Sequence, residues 1–379
     1  MRVLHICNDF AGSTVHKCLY TELDNLGVEQ LIYCPVRSND LIGKNKFDCE
    51  RSSIEYANII KPYYKYLYHI KQRKLYNYLQ KKYDLSKYHL CHASTLLSDG
   101  GIAYRIFLEY HVPYVVAVRS TDIDVFLKKA PNTWANARRI LLNAQYIYFI
   151  NKGLENNLVN HKVIKPIVEL IKHKFVIQPN GVDNYYINHW QNNEHHGHGL
   201  VYVGDFTRRK NVLRLCHAVL ELKEIQKYSD IKLTLVGGGK GRNGASEDVE
   251  ETEIFVRQYP DVFNFVGPVF DKDKLCEIYN SNSIFAMPSL NETFGLVYIE
   301  ALSQNLALLY TKEQGIDGLF DSKVGIAVNP MSIEEIKCAI VAMFDNRDFY
   351  SNSSINPESF QWSNIANTYL SHYKKILKN

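Results

Sequence analysis

Short apolar runs alternate with amphipathic stretches along the whole chain. Residues 3–7 read as a buried strand, a polar turn covers 8–13, and a helix runs from Thr14 to about Leu26. Gly27 stops that helix before the next strand at 30–34. The alternation returns with strands at 114–118, 146–150 and 174–178. In the second half it gives strands at 200–203, 231–236, 262–266, 284–287, 306–310 and 325–328. Strand, helix, strand in this order predicts an α/β chain of doubly wound, Rossmann-like parallel sheets, with ligands at the carboxyl ends of the strands. No G-x-G-x-x-G follows the first strand, which disfavours a dinucleotide-binding dehydrogenase. Gly12 still lets backbone approach a ligand there, with Ser13 beside it.

Two composition breaks divide the pattern. The run 191–199, QNNEHHGHG, reads as a linker between a first domain at 1–185 and a second at 199–361. Its histidines, His195, His196 and His198, are expected to be solvated rather than metal-bound. A final helix at about 362–377 carries Trp362, Ile365, Tyr369 and Tyr373 on one side.

The richest chemistry lies in 283–306, SIFAMPSLNETFGLVYIEALSQNL. A strand ends at Pro288, a polar loop carries Glu292, and Gly295 opens a helix whose apolar face is Leu296, Ile299, Ala301 and Leu302. The unpaired N–H groups and positive dipole end of such a helix suit a phosphate. Glu292 and Glu300 flank that anion cradle, and a carboxylate there can accept hydrogen bonds from sugar hydroxyls on either side of a phosphate. Sugar, diphosphate and ribose laid out in that order describe a nucleotide-sugar. Three glycines, Gly237, Gly238 and Gly239, end another strand and admit a flat base. Gly204 ends the strand before Arg208, Arg209 and Lys210, a second phosphate-binding layout. In the first half, the strand 114–118 delivers Arg119, Asp122 and Asp124 to a sheet edge, where polar residues are expected to face a cleft. D-x-D at 122–124 is too common to argue for a metal.

Bulk properties narrow the partners. The 379 residues suffice for about two domains. No apolar run approaches the roughly 20 residues of a membrane span, and the amino terminus lacks a signal-peptide layout. Eight cysteines without a C-x-x-C pair fit reduced thiols and a cytoplasmic setting. The net charge of +4 is uneven: residues 1–190 hold 25 Lys/Arg against 16 Asp/Glu, so +9, and the remainder −5. The segment 61–83, KPYYKYLYHIKQRKLYNYLQKKY, has seven Lys/Arg, no acid and many tyrosines, and should be helical after Pro62. Cations and interfacial rings so interleaved suit peripheral contact with an anionic membrane, beside the plainer reading of a solvated helix whose tyrosines pack on the domain; nucleic-acid binding is not expected.

The stretch Glu292-Thr-Phe-Gly-Leu-Val-Tyr-Ile-Glu300-Ala301 resembles the E-x7-E motif of family 4 retaining glycosyltransferases, and other markers follow in family order. They are the opening strand, R-S-T-D at 119–122, P-N-G-V-D at 179–183 with Asn180, G-D-F-T-R-R-K-N at 204–211 and the triple glycine. The resemblance implies a GT-B fold, two Rossmann-like domains facing across a cleft, with the final helix crossing back onto the first. It implies transfer of a sugar, with retention and without a metal or other cofactor, from a nucleoside-diphosphate sugar to a glycan or lipid-linked acceptor in polysaccharide assembly. Glu292 would meet the donor sugar and Glu300 the ribose. Backbone N–H groups at Phe294, Gly295 and Leu296 would hold the diphosphate, with Lys210 as its cation. The chain departs from the family twice: Arg119 stands where a histidine is usual, and Asp205 where Gly-Arg-x4-Lys has its arginine. Arg208 or Arg209 is then expected to supply the second charge. A nucleotide-sugar epimerase of the same fold and a catalytically dead nucleotide-sugar-binding protein are the alternatives.

Overall fold

The computed structural model describes residues 1–65, 67–239, 247–321 and 323–378. The chain divides into two compact units. Unit 1 holds residues 1–150, 154–181 and 360–379, and unit 2 holds residues 151–153 and 182–359.

Unit 1 is built on strands β1 (Arg2–Ile6), β2 (Glu29–Val36), β3 (Ser53–Asn58), β4 (Leu90–Ala93), β5 (Tyr114–Ala117), β6 (Ile147–Phe149) and β7 (Phe175–Ile177). They form one sheet in the order β3-β2-β1-β4-β5-β6-β7, with every pair parallel. Helices cover both faces of such a sheet, so its central strands are apolar throughout: β4 and β5 are buried at every residue. The helices Thr14–Asn25 and Trp362–Ile376 pack together on one face, where Tyr20, Leu23, Trp362, Ile365, Tyr369 and Tyr373 join the core. Polar groups are sealed in with them. The Tyr373 hydroxyl and His92 Nδ1 share a 2.5 Å hydrogen bond, and Tyr20 and Ser94 share one of 3.0 Å.

Unit 2 carries β8 (Gly199–Gly204), β9 (Lys232–Gly237), β10 (Phe263–Gly267), β11 (Ile284–Ala286), β12 (Ala307–Thr311) and β13 (Gly325–Val328). Their order is β10-β9-β8-β11-β12-β13, again all parallel. The order runs outward from β8 one way and from β11 the other. The carboxyl ends of β8 and β11 are therefore the switch point, where a doubly wound sheet opens a crevice for a ligand.

Two expectations change. The basic stretch 61–83 begins with one tight turn at Pro62–Lys65, and its helix starts at Tyr68. The polar run at 191–199 is anchored within unit 2. The Gln191 N–H donates to Ser303 O, His195 Nε2 bonds Gln304 O at 2.7 Å, and Asn193 bonds Asn280. Its amides serve the backbone at the end of the helix Leu296–Ser303, so polarity there marks hydrogen-bonding duty rather than a linker. The stretch 240–252, KGRNGASEDVEET, also reads in sequence as a polar loop into an acidic helix start, and 240–246 of it lie outside the described residues.

Candidate functional site

Two loops meet at the switch point of unit 2. The first leaves β8 at Gly204 and turns on Asp205, whose Oδ1 accepts from the Thr207 hydroxyl at 2.5 Å while its carbonyl accepts from Tyr202 at 2.6 Å. The residue in the family's arginine position is thus a turn-former. One tight helical turn, Arg208–Lys210, follows and ends at Asn211, which has φ +59°. The buried Asn211 amide donates to Pro288 O (2.9 Å) and Pro330 O (2.7 Å), tying this loop to the one after β11. The Leu290 N–H also donates to Arg209 O at 2.8 Å.

This weld brings Lys210 Nζ to 2.6 Å from Glu292 Oε2, with both side chains about a tenth exposed. Arg209 Nη1 stands 3.6 Å from the same oxygen and donates to Asn291 O at 2.8 Å. Arg208 lines an adjoining depression of about 510 Å³ with Arg214, His217 and Glu251, whose wall also includes Asn211 and Leu290. A turn of three residues per revolution sends adjacent side chains about 120° apart, which separates the two arginines. The cation beside Lys210 is Arg209.

After β11, Gly295 opens the helix Leu296–Ser303 with φ +77°. A Cβ there would lie 2.6 Å from the Tyr298 ring, so the position needs glycine for both conformation and space. The N–H groups of Phe294, Gly295 and Leu296 have no hydrogen-bond acceptor among the described residues. Glu292 is held at both ends of its own residue. Its N–H donates to Gln314 Oε1 at 2.8 Å and its carbonyl accepts from the Gly315 N–H at 3.2 Å.

Glu300, on the same helix, has different neighbours. Burial raises its carboxyl to about 7, with the Asp183 charge adding to the effect and Lys272 opposing it. The buried Tyr279 hydroxyl beside it has no hydrogen-bond partner in good geometry. Lys272 and Asp183 pair at 2.5 Å. At the end of β9, Gly237 has φ +117°, and a Cβ on it would meet Gly204 O at 2.0 Å. The ends of β8 and β9 therefore lie in contact, and the Gly238 N–H donates to Gly204 O at 3.1 Å.

In unit 1 the expected residues sort differently. Arg119 is half-buried; its Nε donates to Ser94 O at 3.2 Å, and its charge lies close enough to His16 and His92 to disfavour their protonation. Asp122 corrects an expectation. It is wholly buried, and its carboxylate accepts from the N–H groups of Leu96 (3.0 Å), Leu97 (2.9 Å) and Arg119 (2.9 Å), so it braces two loops and does not face a ligand. Asp124 pairs with Lys128 at 2.6 Å. Gly12 is exposed in a turn closed by its N–H on Asp9 O, and Ser13 precedes the first helix without capping it through its side chain. Asn180 is half-buried and precedes Gly181, which packs against the Trp362 ring. Residues that the sequence reading passed over, Asn151, Asn211 and Gln314, hold the loops of unit 2 in place. Asn211 directly follows the basic turn; the other two carry no signal beyond their polarity at strand ends.

Residues 188–358 match the family model described as Glycosyl transferases group 1. A Bacillus subtilis protein named as a glycosyltransferase of teichuronic acid biosynthesis is 21% identical over 264 residues, 66% of this chain and 60% of its own length. A D-inositol 3-phosphate glycosyltransferase of Corynebacterium kroppenstedtii is 25% identical over 45% of this chain and 39% of its own length. The chain thus spans less than two thirds of either relative. Among solved structures, sucrose-phosphate synthase from Thermosynechococcus elongatus superposes with a TM-score of 0.68 at 17% identity, over 100% of this chain and 99% of that one. Anabaena HepE in complex with UDP gives 0.66 at 13% identity, over 100% and 99%. These likenesses show the fold to be GT-B, two Rossmann-like parallel-sheet units.

Proposed function

We propose that this chain is a group 1 glycosyltransferase that moves a sugar, with retention, from a nucleoside-diphosphate sugar to a glycan or lipid-linked glycan acceptor in polysaccharide assembly. The observation that carries the reading is the convergence of Lys210, Arg209 and the free N–H groups at 294–296 on the switch point of unit 2. Negative charge grows on the leaving diphosphate as the glycosidic bond breaks. Fixed cations and N–H dipoles aimed at that charge lower the barrier without reorganising, and their number leaves no need for a metal. Glu292 pairs with Lys210. An incoming diphosphate takes over the lysine and frees the carboxylate to accept from the donor sugar's hydroxyls. Arg119 serves as a hydrogen-bond donor to sugar or phosphate; a guanidinium has no lone pair to act as a base. The relative named for teichuronic acid biosynthesis is in keeping with polysaccharide assembly, and the epimerase alternative gains nothing from these likenesses. Screening nucleotide-sugars by thermal shift, then assaying slow release of the diphosphate, tests the reading. Stabilisation by none, or isomerised sugar without diphosphate release, would overturn it.

Glu300 gives this reading a pH signature. Its carboxylate form accepts from both ribose hydroxyls, and that form predominates only above about pH 7. The donor KM should therefore rise as pH falls from 8 to 6. Glu300→Gln should show a raised KM that no longer varies over that range. A flat profile in the parent enzyme would remove Glu300 from the ribose.

The basic segment supports membrane apposition. No helix among the described residues is long and apolar enough to cross a membrane. The helix Tyr68–Lys82 turns Tyr68, Leu75, Tyr76 and Leu79 inward. Tyr63, Leu67 and Ile70 are about half exposed, among exposed Lys61, Arg73, Lys74 and Lys81. Lys82 is spent on Glu55 at 2.7 Å. Each free cation near an anionic surface contributes about 1 kcal/mol. Changing those four to glutamine should weaken cosedimentation with phosphatidylglycerol vesicles a hundredfold or more, and equal binding by both proteins would refute the contact.

A further inference from the structure

Asn151 lies about 140 residues before the donor loop, yet residues 151–153 belong to unit 2. Its side chain is 3% exposed, and its amide donates to Thr293 O at 2.6 Å and Gly315 O at 2.8 Å. Those carbonyls flank Glu292. Thr293 is the next residue, and Gly315 donates its own N–H to Glu292 O. A Cβ on Gly315 would lie 3.6 Å from Glu292 Cγ, so that backbone also walls the glutamate side chain. Gln314 holds the other end, accepting from the Glu292 N–H and donating to Leu290 O. Two residues on, Gly153 closes against the same strip. A Cβ there would stand 2.1 Å from Glu313 O, so only glycine permits the approach.

From this geometry we infer that Asn151 is a positioning residue for sugar transfer: its amide braces the loops 290–295 and 313–315, which set Glu292 and the free N–H groups where the donor binds. The inference rests on the transferase reading. An asparagine amide is suited to the task because its two N–H groups meet two carbonyls at once. An aspartate in its place would keep the shape and turn an acceptor toward both carbonyls. The contact reaches the reacting atoms only through Glu292 and the helix start, and a displacement of about 1 Å at such a site costs on the order of a hundredfold.

The test compares Asn151→Asp, Asn151→Ala and Asn151→Ser with the parent enzyme, using the nucleotide-sugar that the donor screen selects. The aspartate and alanine variants should raise the donor KM at least about fivefold and lower kcat/KM on the order of a hundredfold, with the acceptor KM unchanged. The serine variant, which keeps one donor, should fall between. A merely destabilised protein would lose active fraction, lowering kcat and leaving both KM values alone. Hydrogen exchange in peptides covering 288–296 should quicken in the aspartate and alanine variants by at least about tenfold, and this arm needs no activity. If the parent transfers no sugar, the functional reading fails while exchange still decides the brace. If those two variants do not fold, the serine variant carries the comparison. A parent-like donor KM, or parent-like exchange at 288–296, in the folded variants would overturn the inference.

Discussion

Changing Lys210 to alanine should lower kcat/KM on the order of a thousandfold, Arg209 to alanine about a hundredfold, and Arg208 to alanine less than twofold. The ranking follows from distance and burial. Lys210 sits 2.6 Å from Glu292 with a tenth of its side chain exposed, so its charge acts where water screens little. Removing one fixed donor from a developing anion costs on the order of 10² to 10³ in rate, and a buried full charge falls at the upper end. Arg209 is nearly half exposed and 3.6 Å from the same carboxylate, hence the smaller loss. Arg208 faces the depression shared with Arg214 and His217. Lys210→Ala also leaves Glu292 buried with only Arg209 near it, a destabilisation of about 1–3 kcal/mol. Thermal unfolding of each variant separates that loss from catalysis, and Lys210→Gln, which retains a hydrogen bond to Glu292, should recover stability without recovering rate. Near-parental turnover in folded Lys210→Ala would end the role assigned to it. An Arg208 variant slower than the Arg209 one would reverse the assignment between them.

That pair of arginines shows where the sequence stops informing. The pattern of strands and helices places the loops after β8 and β11 at a switch point, because parallel strands buried on both faces have unmistakable apolar runs. Glu292, Gly295 and Lys210 are legible from there, since a glycine before a helix and a lysine after a strand end carry local meaning. Which neighbouring arginine faces the ligand depends on a single tight turn, which no periodicity records. Asp122 misleads for a related reason. A carboxylate at a strand end has the same signature whether it meets a substrate or three backbone N–H groups. The polar run at 191–199 looks like a linker, yet its amides and histidine satisfy backbone groups near Gln304. Asn151 is invisible for a topological reason: its partners lie more than 140 residues away, and only the folded loops bring them together.

Unit 1 should lose stability steeply on mild acidification, between about pH 6.5 and 5. His5, His16 and His92 are all buried, and burial holds each neutral: His16 and His92 titrate at about 3, and His5 well below its ordinary value. Neither ring nitrogen of His5 has a hydrogen-bond partner in good geometry, and the contact with Gln30 that favours the charged ring is outweighed by burial and by the neighbouring His92 and His16. The groups facing them add to the resistance. His5 stacks near Tyr20 and lies 5.3 Å from His92, which packs on Tyr148, Tyr369 and Tyr373, while the Arg119 charge opposes protonation of His16 and His92. A group whose folded pKa is depressed contributes stability above its unfolded value and loses it as pH falls toward the folded value, so each histidine costs about 1.4 kcal/mol per pH unit below about 6.5. Asp99 works the other way. Burial raises it to about 7, so it regains stability as pH falls through that range, and Asp122 is raised in the same direction. Three histidines against chiefly one carboxylate leave a net uptake of about two protons on unfolding, or roughly 3 kcal/mol per pH unit. Over the interval from pH 6.5 to 5 that amounts to about 4 kcal/mol, a large share of the roughly 5–15 kcal/mol that holds a domain together, so the urea midpoint of unit 1 should fall sharply. Urea melts followed by tyrosine fluorescence at pH 7, 6 and 5 read the slope directly. His5→Leu, which removes a titrating ring with no hydrogen bond to lose, should flatten it by about one proton. Equal midpoints at pH 7 and 5 would mean that these rings reach solvent in the folded protein and that the core drawn around them is wrong.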